Sequence, residues 1–357
     1  MIGIRASASA LACVAAVTLA VAGCKVDVPA AAGTGSAGQA QAAGPADPAG
    51  AGSDPGPTRA GPLIIEPGAG FSPVYSLING ARHSIDVTMY EFADTTAEHD
   101  LAAAARRGVD VRVILDQREQ SENSSAFSYF SSHRVKVVWS WSRFTYTHQK
   151  TLVVDGSKAV IMTANLTSEY YPTSRDFLVT DTDRADVAAI TAVFDADFAH
   201  RAVSPGNGAD LVWSPTDSQD KLLGLINGAT SSLRIYSEEM GDTIVEDALI
   251  RAARRGVDVQ ICGENEDGEY DGAYSRLARA GIHISYYSSS AGFYIHGKVI
   301  EADYGTGHAR IFIGSENFSG TSLNDNRELG LIVSDPAVLA AVARTFAADF
   351  RSGTPWT

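Results

Sequence analysis

The sequence predicts an α/β protein made of two tandem copies of one unit, paired about a pseudo-twofold axis as an α/β/α sandwich. Three observations predict it. The string Leu77-Ile-Asn-Gly-Ala81 recurs as Leu225-Ile-Asn-Gly-Ala229, residues 104–111 recur as 252–259, and His148 and Lys150 recur as His296 and Lys298, all at one offset of 148 residues. Past a short insertion near residues 304–307 the offset becomes 152, matching Asn165 to Asn317, Arg175 to Arg327 and Asp197-Phe198 to Asp349-Phe350. A constant offset over separated segments marks a duplication, which shared composition alone would not hold in register. Finally, strand patterns alternate with helix patterns, the signature of a largely parallel or mixed sheet.

Each unit reads in the same order. A helix precedes a strand over residues 84–90, repeated at 232–237. An Ala-rich helix then ends at Arg-Arg-Gly, where Gly108 and Gly256 suit a C-terminal cap. Strands follow over 109–115 and 135–139, repeated at 257–262 and 282–286. Next comes an apolar segment beginning His148-Gln-Lys150 and running to Asp155, matched by His296-Gly-Lys298 running to Asp303. This reads as a buried strand, on which residues two apart share a face. Each His and Lys then point to one site. Two further strands and a helix over 185–200, repeated at 336–350, close the unit.

The rest of the chain bounds the problem. Residues 1–23 carry one charge, Arg5, ahead of an Ala/Val/Leu run, the pattern of a signal peptide. The run ends Val21-Ala22-Gly23-Cys24 and resembles a bacterial lipobox, which implies cleavage before Cys24 and a lipid on its thiol. Residues 24–61 are rich in Ala, Gly and Pro and read as anchor and flexible linker. The expected organisation is therefore 1–23 signal, 24–61 tether, 62–205 first repeat and 206–357 second repeat. The expected location is the bacterial cell envelope outside the cytoplasm, lipid-anchored or secreted. Cys13 falls in the leader and Cys24 is the expected lipid site, so Cys262 stands alone and no internal disulfide is expected. Acids outnumber bases 42 to 28, which argues against broad nucleic-acid binding through phosphate neutralisation.

Around the two His/Lys pairs the chemistry-bearing residues collect again in duplicate. Thr163 and Asn165 follow the first, Ser315 and Asn317 the second, and Asp176 and Glu328 come later in each half. A neutral imidazole can attack phosphorus, and a second, protonated, can serve the leaving oxygen. Two Lys and two Asn can hold the non-bridging oxygens, and a carboxylate can fix each imidazole's tautomer. The Lys supply positive charge and no His/Asp/Cys cluster has metal-ligand spacing, so neither metal nor other cofactor is expected.

The paired His-x-Lys-x4-Asp motifs, each followed by a Gly-Ser-x-Asn-like segment, resemble the phospholipase D superfamily over residues 63–350. The resemblance implies a two-lobed sandwich with one active site at the seam and a phosphohistidine intermediate. It implies His148 as nucleophile, His296 as general acid, and Lys150, Lys298, Asn165 and Asn317 gripping the phosphate. It further implies that each carboxylate serves the opposite half, Glu328 orienting His148 and Asp176 orienting His296. Asp155 and Asp303 are expected to be structural and turned from the substrate. The first copy departs from the pattern with Met162-Thr163 in place of Gly-Ser, and the Thr hydroxyl is expected to substitute.

Thr163, Ser315, Tyr146 and Tyr294 are the expected substrate contacts. Aromatics precede both motifs: Trp139, Trp141, Phe144 and Tyr146, then Tyr286, Tyr287, Phe293 and Tyr294. They could rim a lipid site. Glu91 and Glu239, equivalent in the repeat, would repel a polyanion if they line the cleft. The expected activity is hydrolysis of phospholipid head-group phosphodiesters by a monomer working at a membrane surface. The alternatives are a metal-independent endonuclease acting on nucleic acid and a phosphatidyl transferase, the last ranked lower because such enzymes usually span the membrane. A catalytically idle binding protein on the same fold is the rival from another class.

Overall fold

The structure, a computed structural model, describes residues 60–357 apart from Asn207 and Ala209. The leader, Cys24 and nearly all of the tether lie outside the described residues. The first half runs β1 (Leu63–Glu66), α1 (Ser72–Gly80), β2 (Ser84–Met89), α2 (Thr95–Arg106), β3 (Asp110–Leu115), α3 (Gln120–Ser132), β4 (Lys136–Trp139), β5 (Thr151–Val154), β6 (Lys158–Met162), β7 (Ser174–Asp181) and α4 (Arg184–Phe198). The second runs β8 (Leu211–Ser214), α5 (Ser218–Gly228), β9 (Ser232–Ser237), α6 (Thr243–Arg254), β10 (Asp258–Glu264), α7 (Asp271–Ala278), β11 (His283–Tyr287), β12 (Tyr294–Ile295), β13 (Val299–Ala302), β14 (Arg310–Gly314), α8 (Gly320–Asn324), β15 (Glu328–Val333), α9 (Pro336–Ser352) and β16 (Thr354–Pro355).

The strands form two mixed sheets of the same plan. The first is ordered β1-β7-β6-β5-β2-β3-β4 and the second β16-β11-β10-β9-β13-β14-β15-β8. The βαβ crossovers make β2, β3 and β4 parallel, as they do β9, β10 and β11, while the hairpin strands run antiparallel. Capping is duplicated with the strands. Asp94 and Asp242 accept backbone N–H groups at the starts of α2 and α6, and Asp183 and Asp335 do so for α4 and α9, satisfying donors that no helix can satisfy itself. Gly108 and Gly256 end α2 and α6 at φ near 95° and 93°, where a Cβ would be strained.

Three apolar cores result. α1, α2 and α3 cover the outer face of the first sheet through Val74, Leu101 and Phe130, and α5, α6 and α7 cover the second through Leu222, Leu249 and Leu277. Between the sheets, Ile161, Phe177 and Val179 meet Trp213, Tyr236 and Leu329, with α4 and α9 filling the same layer. Cys262 is buried there as a small hydrophobe. No helix among the described residues is long and apolar enough to cross a membrane.

Two differences from expectation bear on the site. His148–Lys150 and His296–Lys298 are not in the strands they lead into, because β5 begins at Thr151 and β13 at Val299. The residues just before each His pair with the other half's sheet instead. β12 runs parallel to β7, and Thr147 bridges Arg327. Each His-x-Lys is therefore the point where the chain crosses from one sheet to the other. Second, no expectation covered α3, whose Ser-rich sequence buries only Asn123, Ala126 and Phe130 and so lacks a clear apolar stripe.

Candidate active site

The crossing segments bring both His/Lys pairs to the seam. His148 Nδ1 lies 2.9 Å from Glu328 Oε2, and His296 Nδ1 lies 2.8 Å from Asp176 Oδ1. Each imidazole is thus oriented by a carboxylate from the opposite half, as the resemblance implied. Glu328 opens β15, and Asp176 sits in β7. Burial opposes charge on Glu328, but His148, Lys150 and a hydrogen bond from Ser322 outweigh it and hold the carboxyl below the usual range. Asp176 is likewise held down, against its burial, by His296, Lys298 and Thr163.

Each lysine folds back on its own motif: Lys150 Nζ donates to the His148 carbonyl and Lys298 Nζ to that of His296, both at 2.7 Å. Both side chains are essentially inaccessible. Burial, with repulsion from Lys298, pushes Lys150 down to about 7. Burial also lowers His148, despite the attraction of Glu328, so its neutral form is favoured. Asn165 and Asn317 donate from Nδ2 to Glu91 and Glu239 at 2.9 and 3.0 Å, and the Oδ1 of each is buried without a hydrogen-bond partner. Glu91 and Glu239 therefore orient the two amides. Burial and the neighbouring Glu238 raise Glu239 to about 7.

Asp155 and Asp303 are turned away. Asp155 accepts the backbone N–H groups of Arg82, His83 and Ser84, and Asp303 those of Thr230, Ser231 and Ser232. Two of the four expected substrate contacts, Thr163 and Ser315, lie inside the fold. Thr163 is wholly buried, its hydroxyl donating to Asp176 Oδ1 at 2.5 Å and accepting from Phe177 N–H. Ser315 is buried against the Leu329 backbone. Both hydroxyls brace the sheet, and only Thr163 reaches a site carboxylate. Tyr146 and Tyr294 are half-buried walls of the site, Tyr146 edge-on to Tyr90 and Tyr294 donating to Glu238 Oε1 at 3.0 Å. Most of the other aromatics support the fold. Trp139 stacks on Phe127, and Phe144 and Phe293 lie under Arg327 and Arg175.

Four residues escaped the sequence reading. Ser322 Oγ and Asn326 Nδ2 donate to Glu328 Oε1 at 2.6 and 3.0 Å. Tyr90 and Glu238 immediately follow β2 and β9 at equivalent repeat positions. The Tyr90 ring lies 4.5 Å from the His148 ring and 4.9 Å from Lys150 Nζ. Glu238 Oε2 lies 2.5 Å from Lys298 Nζ, an ion pair set off the hydrogen-bond direction, and Oε1 lies 3.5 Å from His296 Nε2. The sequence carried no signal for either Tyr90 or Glu238, because several positions of the two strands differ at the repeat offset, Asp86 against Arg234 and Met89 against Ser237 among them. Among the described residues no group of three or more His, Cys, Asp or Glu is arranged to hold a metal ion.

The family model described as "Cardiolipin synthase, PLD-like domain" matches residues 74–198 and again 222–350. A probable cardiolipin synthase of Bacillus subtilis is 29% identical over 128 residues, 34% of this chain and 25% of the relative. Cardiolipin synthase A of Pseudomonas aeruginosa is 27% identical over 127 residues, 34% of this chain and 26% of the relative. The chain thus spans about a quarter of the length of these relatives. In fold it is similar to the polyphosphate kinase of Porphyromonas gingivalis (TM-score 0.63, 17% identity, 80% of this chain, 50% of the other). It is also similar to the phosphatidylserine synthase of Haemophilus influenzae (TM-score 0.59, 10% identity, 79% and 84%). With both repeats matched and both His/Lys pairs joined at one seam, the chain belongs to the phospholipase D superfamily of enzymes.

Proposed function

We propose that the protein transfers a phosphatidyl group between alcohols through a phosphohistidine on His148. The observation that supports this reading is the pair of His–carboxylate contacts made across the seam, each imidazole held by an acid of the opposite half and followed by a buried lysine. His148 Nε2 attacks phosphorus, the bond to the leaving head-group oxygen breaks, and His296 gives that oxygen its proton. An incoming hydroxyl then attacks the phosphohistidine and returns its proton to His296. Lys150, Lys298, Asn165 and Asn317 stabilise the charge on the phosphoryl oxygens. The lowered pKa of His148 supports its role as nucleophile.

Hydrolysis was the first expectation. The description of the matched family and the names of the two bacterial relatives favour transfer. The two differ only in whether a lipid hydroxyl or water resolves the intermediate. The test is mass spectrometry of vesicles of phosphatidylglycerol incubated with the full chain in EDTA, with His148→Ala as control. Cardiolipin and glycerol in equal amounts, absent with the variant, are expected. Phosphatidic acid without cardiolipin would return the reading to hydrolysis. Unchanged lipid together with cleavage of single-stranded DNA would replace it with a nuclease.

A further inference from the structure

We infer that Glu238 is a built-in anion standing in the phosphate seat of the second half, which an incoming phosphoryl group must displace. The inference rests on the phosphodiester reading and adds a selectivity residue to it. Beside Asn317, the second half directs Lys298 Nζ at a phosphoryl oxygen and His296 Nε2 at the leaving group. The carboxylate of Glu238 faces both, at 2.5 and 3.5 Å. It is not there by accident of a mobile side chain, because Tyr294 donates its hydroxyl to Oε1 and only 14% of the side chain is exposed.

The first half provides the internal control. There the equivalent position is Tyr90, whose hydroxyl turns away to Glu119 and whose ring lies against Lys150 and His148. That half's lysine meets a π-face. The other lysine is already neutralised. Two anions cannot share Lys298 without strong repulsion at this separation and burial. A dianion such as inorganic phosphate or a phosphomonoester meets twice the repulsion of a monoanionic phosphodiester. A diester can also draw on contacts made by its remaining substituents. Glu238 thus weakens the hold on small phosphates and on monoester products while admitting diesters.

The experiment is calorimetric titration of the full chain with inorganic phosphate, comparing wild type, Glu238→Gln and Glu238→Gln with Lys298→Ala. Glutamine keeps the size and the Tyr294 contact and removes the charge. The single variant is expected to bind phosphate about 10- to 100-fold more tightly than wild type, the gain vanishing in the double variant. Equal or weaker binding by the single variant overturns the role of Glu238 and leaves the phosphodiester reading standing. No binding by any of the three overturns both. If Glu238→Gln does not fold with Lys298 left uncompensated, Glu238→Asp decides. It keeps the charge but withdraws it by one methylene, so tighter phosphate binding supports the inference and unchanged binding overturns it.

Discussion

Lys150 must be charged to grip a phosphate, yet burial and Lys298 hold it down to about 7. His148 must be neutral to attack, and burial lowers it from its ordinary value. The signs combine into a narrow window. As pH rises through about 7, free enzyme loses the Lys150 charge. As pH falls, His148 protonates only below the ordinary histidine range. The profile of kcat/KM, which reports free enzyme, should therefore peak on the acid side of neutrality and fall through pH 7. Lys150→Arg, which cannot be deprotonated, should move the alkaline limb upward even as the peak rate drops. A wild-type profile flat from pH 7 to 9 would show that Lys150 does not grip the substrate. The repeat duplicates His, Lys, Asn and acid in register, but that each His pairs with a carboxylate of the other half was legible only through the family resemblance. The roles of Thr163 and Ser315 were not. A hydroxyl after a buried strand reads the same whether it faces the site or the neighbouring strand, and here both face the strand. Tyr90 and Glu238 escaped for a related reason. They matter through how closely they approach Lys150 and Lys298, which spacing along the chain does not encode.

At the scale of elements, Asp155 and Asp303 tie the end of each central strand to the turn that opens its neighbour. Asp155 follows β5 at φ 52° and Asp303 follows β13 at φ 56°. Each caps three backbone N–H groups just ahead of β2 or β9. This anchoring sets the register of β5 on β2 and of β13 on β9, and hence where each His-x-Lys crossing begins. Backbone N–H groups of Ser231, Ser232 and Thr230 outweigh partial burial and lower Asp303 to about 2. A carboxyl depressed on folding stabilises fully above its unfolded value near 4 and loses that contribution as pH falls towards 2. Asp303→Ala should lower stability by about 1–3 kcal/mol at neutral pH. Its difference from wild type should shrink as pH drops from 4 to 2, measured by urea unfolding at each pH. A difference that stays constant with pH would mean that the carboxylate is not the anchor. The succession of strands along each unit and the closing helices were legible from the alternation of apolar patterns, whereas the order of the strands within each sheet was not. Nor was the exact start of β5 and β13, because an extended crossing segment and a strand share the same alternation of apolar residues.

For the whole molecule, the seam decides whether there is one folding unit or two. Arg175 of the first half pairs with Asp349 of the second at 2.7 Å, and the repeat-equivalent Arg327 pairs with Asp197 at 2.9 Å. Arg327 and both acids are buried, with Arg175 little more exposed. The pairs flank an apolar layer to which both sheets contribute, and β12 adds a second-half strand to the first sheet. Removing one partner from a buried ion pair leaves an uncompensated charge and costs about 3–5 kcal/mol. Asp197→Ala and Asp349→Ala each strand an arginine, one in either half. If the halves folded independently, melting would show two transitions. With the seam as their common core, wild type should melt in one cooperative step, and both substitutions should lower that same step by similar amounts in calorimetry. The same coupling makes catalysis a property of the pair. Arg327 adjoins Glu328 and Arg175 adjoins Asp176, so each seam arginine sits next to the carboxylate that orients the other half's histidine. Turnover in both variants should therefore fall further than their lost stability explains at a temperature where each remains folded. Full activity in either folded variant would separate the seam contacts from the geometry of the site.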